Sequence, residues 1–206
     1  MGELSLAMSE LTELPWQTLH PRDAASLLAG LDVPWWIAGG WALDLFRGTV
    51  TRPHTDLDVG VLRRNIPAVL DHLSRWEIFE AKDGRLTRLA VGASPRLDVY
   101  SLWARPTAGD LWAIELMLNE ADGDTWVYRR DPRIRRPLAT AIRQSADRIS
   151  YLAPEVQLLY KSSATRDRDD ADFAQTWPLL SDDARQWLRT ALELVAPRHH
   201  WLSKKL

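Results

Sequence analysis

The chain of 206 residues contains no cysteine, which excludes disulfides, thiolate metal sites and a cysteine nucleophile. It has no apolar run near the roughly 20 residues that a membrane span needs. Glu3 and Glu10 stand where a secretory signal would be basic. It also lacks a dominant charge: 26 basic against 28 acidic residues leave −2, so no cationic field calls for nucleic acid or an anionic membrane. Repeats, low-complexity tracts and Gly/Ser linkers are missing too. The expectation is a cytoplasmic protein with no membrane partner. What is present is enough for a full core: 46% apolar residues at a mean hydropathy of −0.28, with eleven tryptophans. The length suits a core domain over 1–137 and a helical region over 138–206.

The order of elements can be read from punctuation and period. Leu4, Leu11 and Leu14 recur loosely in an opening segment to about residue 29, read as helical and closed by Gly30. Val33–Ala38 is a short bulky run stopped by Gly39-Gly40, a buried strand, and Trp41–Phe46 has helical composition ended by Gly48. Thr55–Leu62 alternates with period two, a strand, and Asn65 is placed to cap a helix over 66–75. Asp83-Gly84 marks a hairpin between 76–81 and 85–91. Further strands are expected over 96–104, 111–119 and 125–130. After Pro137 the spacing turns helical, with Pro154 opening one helix and Ser181 capping the last to about Val195. Strands first and helices last make an α+β fold with a mixed sheet.

The chemistry is concentrated in residues 37–58. In a strand, residues two apart share a face, so the carboxylates of Asp56 and Asp58 project together, roughly 6–7 Å apart along the chain. Leu57, Val59 and Val61 then point into the core, and Gly60 leaves space beside the acids. Two like charges on one face repel unless a cation compensates them, and an oxygen-liganded ion such as Mg²⁺ is the natural partner. Gly39-Gly40 begins a helix, whose unpaired N–H groups and partial positive charge suit phosphate oxygens. A phosphate cradle followed by a metal-binding acid pair is the equipment of Mg²⁺–nucleotide chemistry.

These residues carry a resemblance. Gly39-Gly40 followed by Asp56-x-Asp58 resembles the signature of the DNA polymerase β-type nucleotidyltransferase superfamily. The longer strings Trp36–Asp44 and Arg52-x-His54-x-Asp56-Leu57-Asp58 are similar to the aminoglycoside 2''-adenylyltransferases and lincosamide nucleotidyltransferases. The resemblance implies the nucleotidyltransferase fold, ATP or another nucleoside triphosphate as co-substrate, Mg²⁺, and a small hydroxyl-bearing acceptor such as an antibiotic. It implies that Asp56 and Asp58 hold the metal, that Gly39 and Gly40 hold phosphates, and that Arg52 and His54 sit near the phosphates or orient the acids. It also implies a third carboxylate, as metal ligand and proton acceptor, on a neighbouring strand. Asp98, 40 residues after Asp58 in an alternating segment, is the first candidate, and Glu115 in Ala113–Met117 is the rival. Lys161, in the helix opened by Pro154, resembles the basic residue that reaches the triphosphate, and otherwise is an exposed helix charge.

Elsewhere the plain readings stand first. Asp167, Asp169, Asp170 and Asp172 alternate with Arg166 and Arg168 as a polar helix start with weak ion pairs. Five arginines against one acid over Arg129–Arg136 make a charged rim, or a contact surface if the acceptor is tRNA or protein. Trp41, Trp103, Trp112 and Trp126 are core residues by default, or the lining of a cleft. Glu115, Glu120, Asp122 and Asp124 are available for an acidic acceptor site. A catalytically silent nucleotide-binding protein is the remaining alternative.

Overall fold

The computed structural model describes residues 12–107 and 109–203. Their elements run α1 Pro21–Leu27, β1 Trp35–Ile37, α2 Gly39–Arg47, β2 Asp58–Leu62, α3 Ile66–His72, β3 Trp76–Lys82 and β4 Arg85–Arg88. Then follow β5 Ser101–Pro106, β6 Ile114–Asp122, β7 Thr125–Val127, β8 Arg135–Pro137, α4 Leu138–Ala141, β9 Ile142–Gln144 and β10 Ser150–Leu152. The helices α5 Pro154–Lys161, α6 Asp167–Thr176 and α7 Asp182–Val195 close the list. The chain divides into two compact units, each discontinuous in sequence: residues 1–35 with 54–120, and residues 36–53 with 121–206. The boundary expected at 137 therefore falls inside the second unit.

In the first unit the strands lie in the order β4-β3-β5-β6-β2, antiparallel except for the parallel pair β6 and β2. Alternation builds its core. Leu57, Val59 and Val61 are fully enclosed, as are Leu102, Ala104, Ile114 and Leu116 from β5 and β6. The Asp83-Gly84 hairpin forms as expected, with φ of 51° and 71°, both in the left-handed region that a two-residue turn between twisted strands requires. A second cluster joins Phe79, Leu86 and Trp112 to Trp16 and Trp103, with edge-on ring contacts of 4.9–5.4 Å and the Arg105 guanidinium over Phe79 and Trp112. The single opening helix expected to about residue 29 is interrupted: Thr12 and Glu13 are helical, residues 15–20 are not, and α1 is a separate helix capped by His20. Trp16 instead bridges to Trp112. Leu4 and Leu11 lie outside the described residues. Asn65 occupies the N-cap position of α3, but its side chain makes no capping bond.

In the second unit β1 runs parallel to β10, β10 antiparallel to β9, and β7 antiparallel to β8. The region after Pro137 is thus not wholly helical: α4 has four residues and a hairpin of two three-residue strands follows. Strands that short show no period of their own, and their turn is carried by Arg148 at φ 60° rather than by a glycine. Downstream the reading holds. Pro154 opens α5, and the Ser181 hydroxyl accepts from the Ala184 amide to cap α7. Trp201 stacks on Phe173 at 4.3 Å, closing the core of this unit from its far end.

Candidate functional site

The carboxylates of the first unit are assembled by register. β2 and β6 are parallel, with Asp58 opposite Glu115, and the ladder reaches Leu57, whose carbonyl accepts the Glu115 amide at 3.0 Å. Asp56 stands just ahead of the assigned strand, where Leu57 is fully enclosed while Asp56 and Asp58 are partly exposed. Residues directly opposite in a sheet share a face, so Glu115 joins the face of Asp58. On its other side Glu115 is paired with Trp103 of β5, and Ser101, two residues earlier, donates its hydroxyl to Glu115 Oε1 at 2.6 Å. Burial pushes the Glu115 carboxyl up and the charge of Asp56 adds to that, against the hydrogen bonds from Ser101 and Trp103 that favour the ionised form. The donors around Glu115 are neutral, and its charged neighbour is another acid.

Asp56, Asp58 and Glu115 make an all-oxygen set, the donor chemistry that a hard divalent cation takes. Among the described residues no three His, Cys, Asp or Glu side chains already converge as a bound ion would require. The set is therefore right in kind and open in arrangement.

Asp98 does not join this face. The strand expected from residue 96 begins only at Ser101; Asp98 lies in an exposed turn and forms an ion pair with Lys82. That hydrogen bond holds its carboxyl below the usual range. The reason is local: Pro95 and the turn over Leu97 and Asp98 interrupt the alternation, and Leu97 is left 82% exposed. Glu120 and Asp122 do not build an acidic cleft either, since Arg63 takes the first at 2.6 Å and Arg135 the second at 3.2 Å.

In the second unit, Gly39-Gly40 opens α2 as expected. Gly39 has φ 64°, which a residue with a Cβ adopts only with strain. Ala38 provides no side-chain cap, and the Gly39 amide instead donates to Gln157 Oε1 of α5 at 2.8 Å. Around the other end of α2 lies a buried ion cluster. Asp44 accepts from Arg47 Nη2 at 2.5 Å and from the Thr51 hydroxyl at 2.8 Å. Asp172 faces Lys161 at 3.0 Å, Arg52 at 3.6 Å and Arg47 at 3.7 Å. Asp169 accepts from Lys161 at 2.7 Å and from Arg166 at 2.8 Å. Burial alone would raise the Asp169 carboxyl, but hydrogen bonds from Arg166 and Lys161 bring it down to about 2.

This corrects two readings. Lys161 is not an exposed helix charge; its side chain is enclosed between two aspartates. The acidic run beginning at Asp167 is not a solvated helix start, because Asp169 and Asp172 are buried. His54 is buried as well, and Arg52 is partly exposed against Asp172. The arginines of this segment are largely engaged: Arg133 with Asp131, Arg135 with Asp122, Arg136 with Glu155, and Arg130 with the Tyr160 carbonyl. Trp41, Trp112 and Trp126 are buried in the cores, not cleft walls, and His199 and His200 bond Thr165 and Asp170. The reading of the chain missed Ser101, Gln157 and Asp172 as partners of site residues. Only Ser101, two before Trp103 in an alternating stretch, had a signal that could have been used.

The sequence family described as aminoglycoside-2''-adenylyltransferase matches residues 22–176. A solution structure of the antibiotic-resistance factor ANT(2'')-Ia superposes with TM-score 0.58 at 16% identity, over 95% of this chain and 98% of that one. A crystal structure of ANT(2'')-Ia in complex with adenylyl-2''-tobramycin gives 0.56 at 14%, over 85% and 96%. The lincosamide antibiotic adenylyltransferase LnuA with lincomycin bound gives 0.54 at 15%, over 81% and 99%. At these identities the solved structures establish a shared α+β nucleotidyltransferase fold. No curated protein matches the chain.

Proposed function

Because the chain belongs to the aminoglycoside-2''-adenylyltransferase family and is a nucleotidyltransferase, we propose that it moves AMP from ATP onto a hydroxyl of an aminoglycoside-like antibiotic, releasing pyrophosphate. The observation that supports this most directly is the register of Glu115 opposite Asp58, with the charge of Asp56 close enough to raise it. Asp56, Asp58 and Glu115 would hold Mg²⁺, with Glu115 in the place first expected for Asp98. The ion, when bound, supplies neutralisation of phosphate charge at the reacting phosphorus.

The chain's own residues do the rest. Glu115, oriented by Ser101 and Trp103, is the group that accepts the proton of the attacking hydroxyl. Asp56 and Asp58, fixed by the enclosed Leu57 and Val59, set the place where the triphosphate is gripped. The amides at the start of α2, beginning with Gly39 and Gly40, are donors for phosphate oxygens, and the Gly39 amide is one that already donates to a side-chain oxygen, that of Gln157. No covalent intermediate on the protein is needed. A tRNA acceptor gains no support from the arginine segment, whose charges are mostly spent on neighbours.

The test is pyrophosphate release with Mg²⁺ and each nucleoside triphosphate against a panel of aminoglycosides, lincosamides and tRNA. Release with ATP that requires an aminoglycoside, and that falls by about 10³-fold or more in Asp56→Asn and Asp58→Asn with melting unchanged, is the expected result. Release driven by tRNA, or undiminished in both variants, would overturn the proposal.

A further inference from the structure

The ion cluster of the second unit has four cations, Arg47, Arg52, Lys161 and Arg166, for three acids, Asp44, Asp169 and Asp172. The surplus is not shared evenly. Arg47 lies between Asp44 and Asp172, and Lys161 lies between Asp169 and Asp172. Arg166 has a hydrogen-bonded pair with Asp169 at 2.8 Å. Arg52 has a single acid, Asp172, at 3.6 Å, beyond a good hydrogen bond, and otherwise donates to the Pro53 carbonyl. Its side chain is 28% exposed against 4% for Arg47 and 8% for Lys161, while its Nε is buried without a hydrogen-bond partner. A guanidinium that faces one distant acid, largely desolvated yet still accessible, is short of an anion.

We infer that Asp172 is a positioning residue for nucleotide binding: it holds the Arg52 guanidinium in place, at the outer edge of the cluster, to take a phosphate oxygen of the nucleoside triphosphate. Asp172 itself, 3% exposed, cannot reach a ligand. It acts through Arg52, and its other two cations keep it from collapsing onto Arg52 and cancelling it. This inference rests on the nucleotide-binding reading above and names a residue that the motif does not contain.

The sign of the effect separates a clamp from a field. Removing an acid makes the cluster more positive, so a bare electrostatic role predicts tighter anion binding in Asp172→Asn. A clamp predicts weaker binding. Equilibrium binding of inorganic tripolyphosphate and the KM for ATP are to be measured in Arg52→Ala, Asp172→Asn, Asp172→Glu, Asp169→Asn and the double variant. Arg52→Ala and Asp172→Asn should each weaken both by about tenfold, with kcat within about threefold, and the double variant should be no worse than either. Asp172→Glu, which keeps the charge and moves it by one methylene, should cost about threefold in KM. Asp169→Asn, which touches Lys161 and Arg166 but not Arg52, should raise KM clearly less than Asp172→Asn does, by about threefold at most.

Tighter or unchanged binding in Asp172→Asn, or an equal loss in Asp169→Asn, overturns the inference. If Asp172→Asn does not fold, Asp172→Glu decides, and an unchanged KM there overturns it. Tripolyphosphate binding that depends on Arg52 and Asp172 in a protein that modifies no acceptor would sink the transferase proposal and leave this one standing. Transfer with binding indifferent to Arg52 would do the reverse.

Discussion

The two units each hold a group of acids, and they treat them in opposite ways. In the second unit Asp44, Asp169 and Asp172 are buried and every one faces a cation, so the low dielectric strengthens pairs that already exist. In the first unit Glu115 is desolvated beside Asp56, with hydrogen bonds from a serine and a tryptophan and no cation among the groups that perturb it. Acids that each face a cation are satisfied within the chain; a desolvated acid whose charged neighbour is another acid demands something from outside it. That difference, not the count of acids, marks the carboxylates of the first unit as the candidate cation site. In sequence the second group, with its Asp-Arg alternation, looks the more eventful of the two.

The largest way to break the comparison is at Glu115. Glu115→Gln keeps the shape and the hydrogen bond from Ser101 but removes the ionised oxygen. Turnover should fall by about 10³-fold, while thermal stability holds or rises, because a desolvated acid beside Asp56 is relieved. A variant with near-normal turnover would mean the uncompensated acid is not part of the chemistry. The mirror experiment is Lys161→Met, which strands Asp169 and Asp172 without their common cation. Stability should drop by about 3 kcal/mol at neutral pH, read from denaturant unfolding. For Asp169 the sign follows from a depressed value. With the folded carboxyl at about 2 against 3.8 for the free group, its contribution is present above pH ~4 and is lost as pH falls toward 2. The wild type should therefore lose stability over that window, and Lys161→Met should lose less of it.

How far the text of the chain carries can be argued from particular residues. Asp56, Asp58 and the Gly39-Gly40 helix start were legible because each depends on local rules: strand parity for the acids, helix termini for the glycines. The fold class was legible for the same reason, through alternation at 55–62 and the Asp83-Gly84 turn. The hairpin of β9 and β10 was not, since three-residue strands have no period and the turn uses an arginine. The exposed-charge alternative for Lys161 fails because burial of a lysine is decided by Asp169 and Asp172, eight and eleven residues away and on another helix. Glu115 appeared only as a rival, because its claim rests on pairing with β2, 57 residues earlier, and register between distant strands leaves no mark in either one.

Asp98 gives the smallest effect and the sharpest contrast. Its spacing after Asp58 made it the first choice, but it sits in an exposed turn against Lys82, where solvent screens the ion pair and leaves it little weight. Asp98→Ala should leave kcat and KM within about twofold of wild type and the melting temperature within a degree or two. The same substitution in a Glu115→Gln background should change nothing further, since the two carboxylates would not share a task. A loss of several hundredfold in Asp98→Ala alone would move the third carboxylate back to the turn. It would require this segment to rearrange on binding substrate, with Lys82 released and Asp98 carried to the face of Asp58.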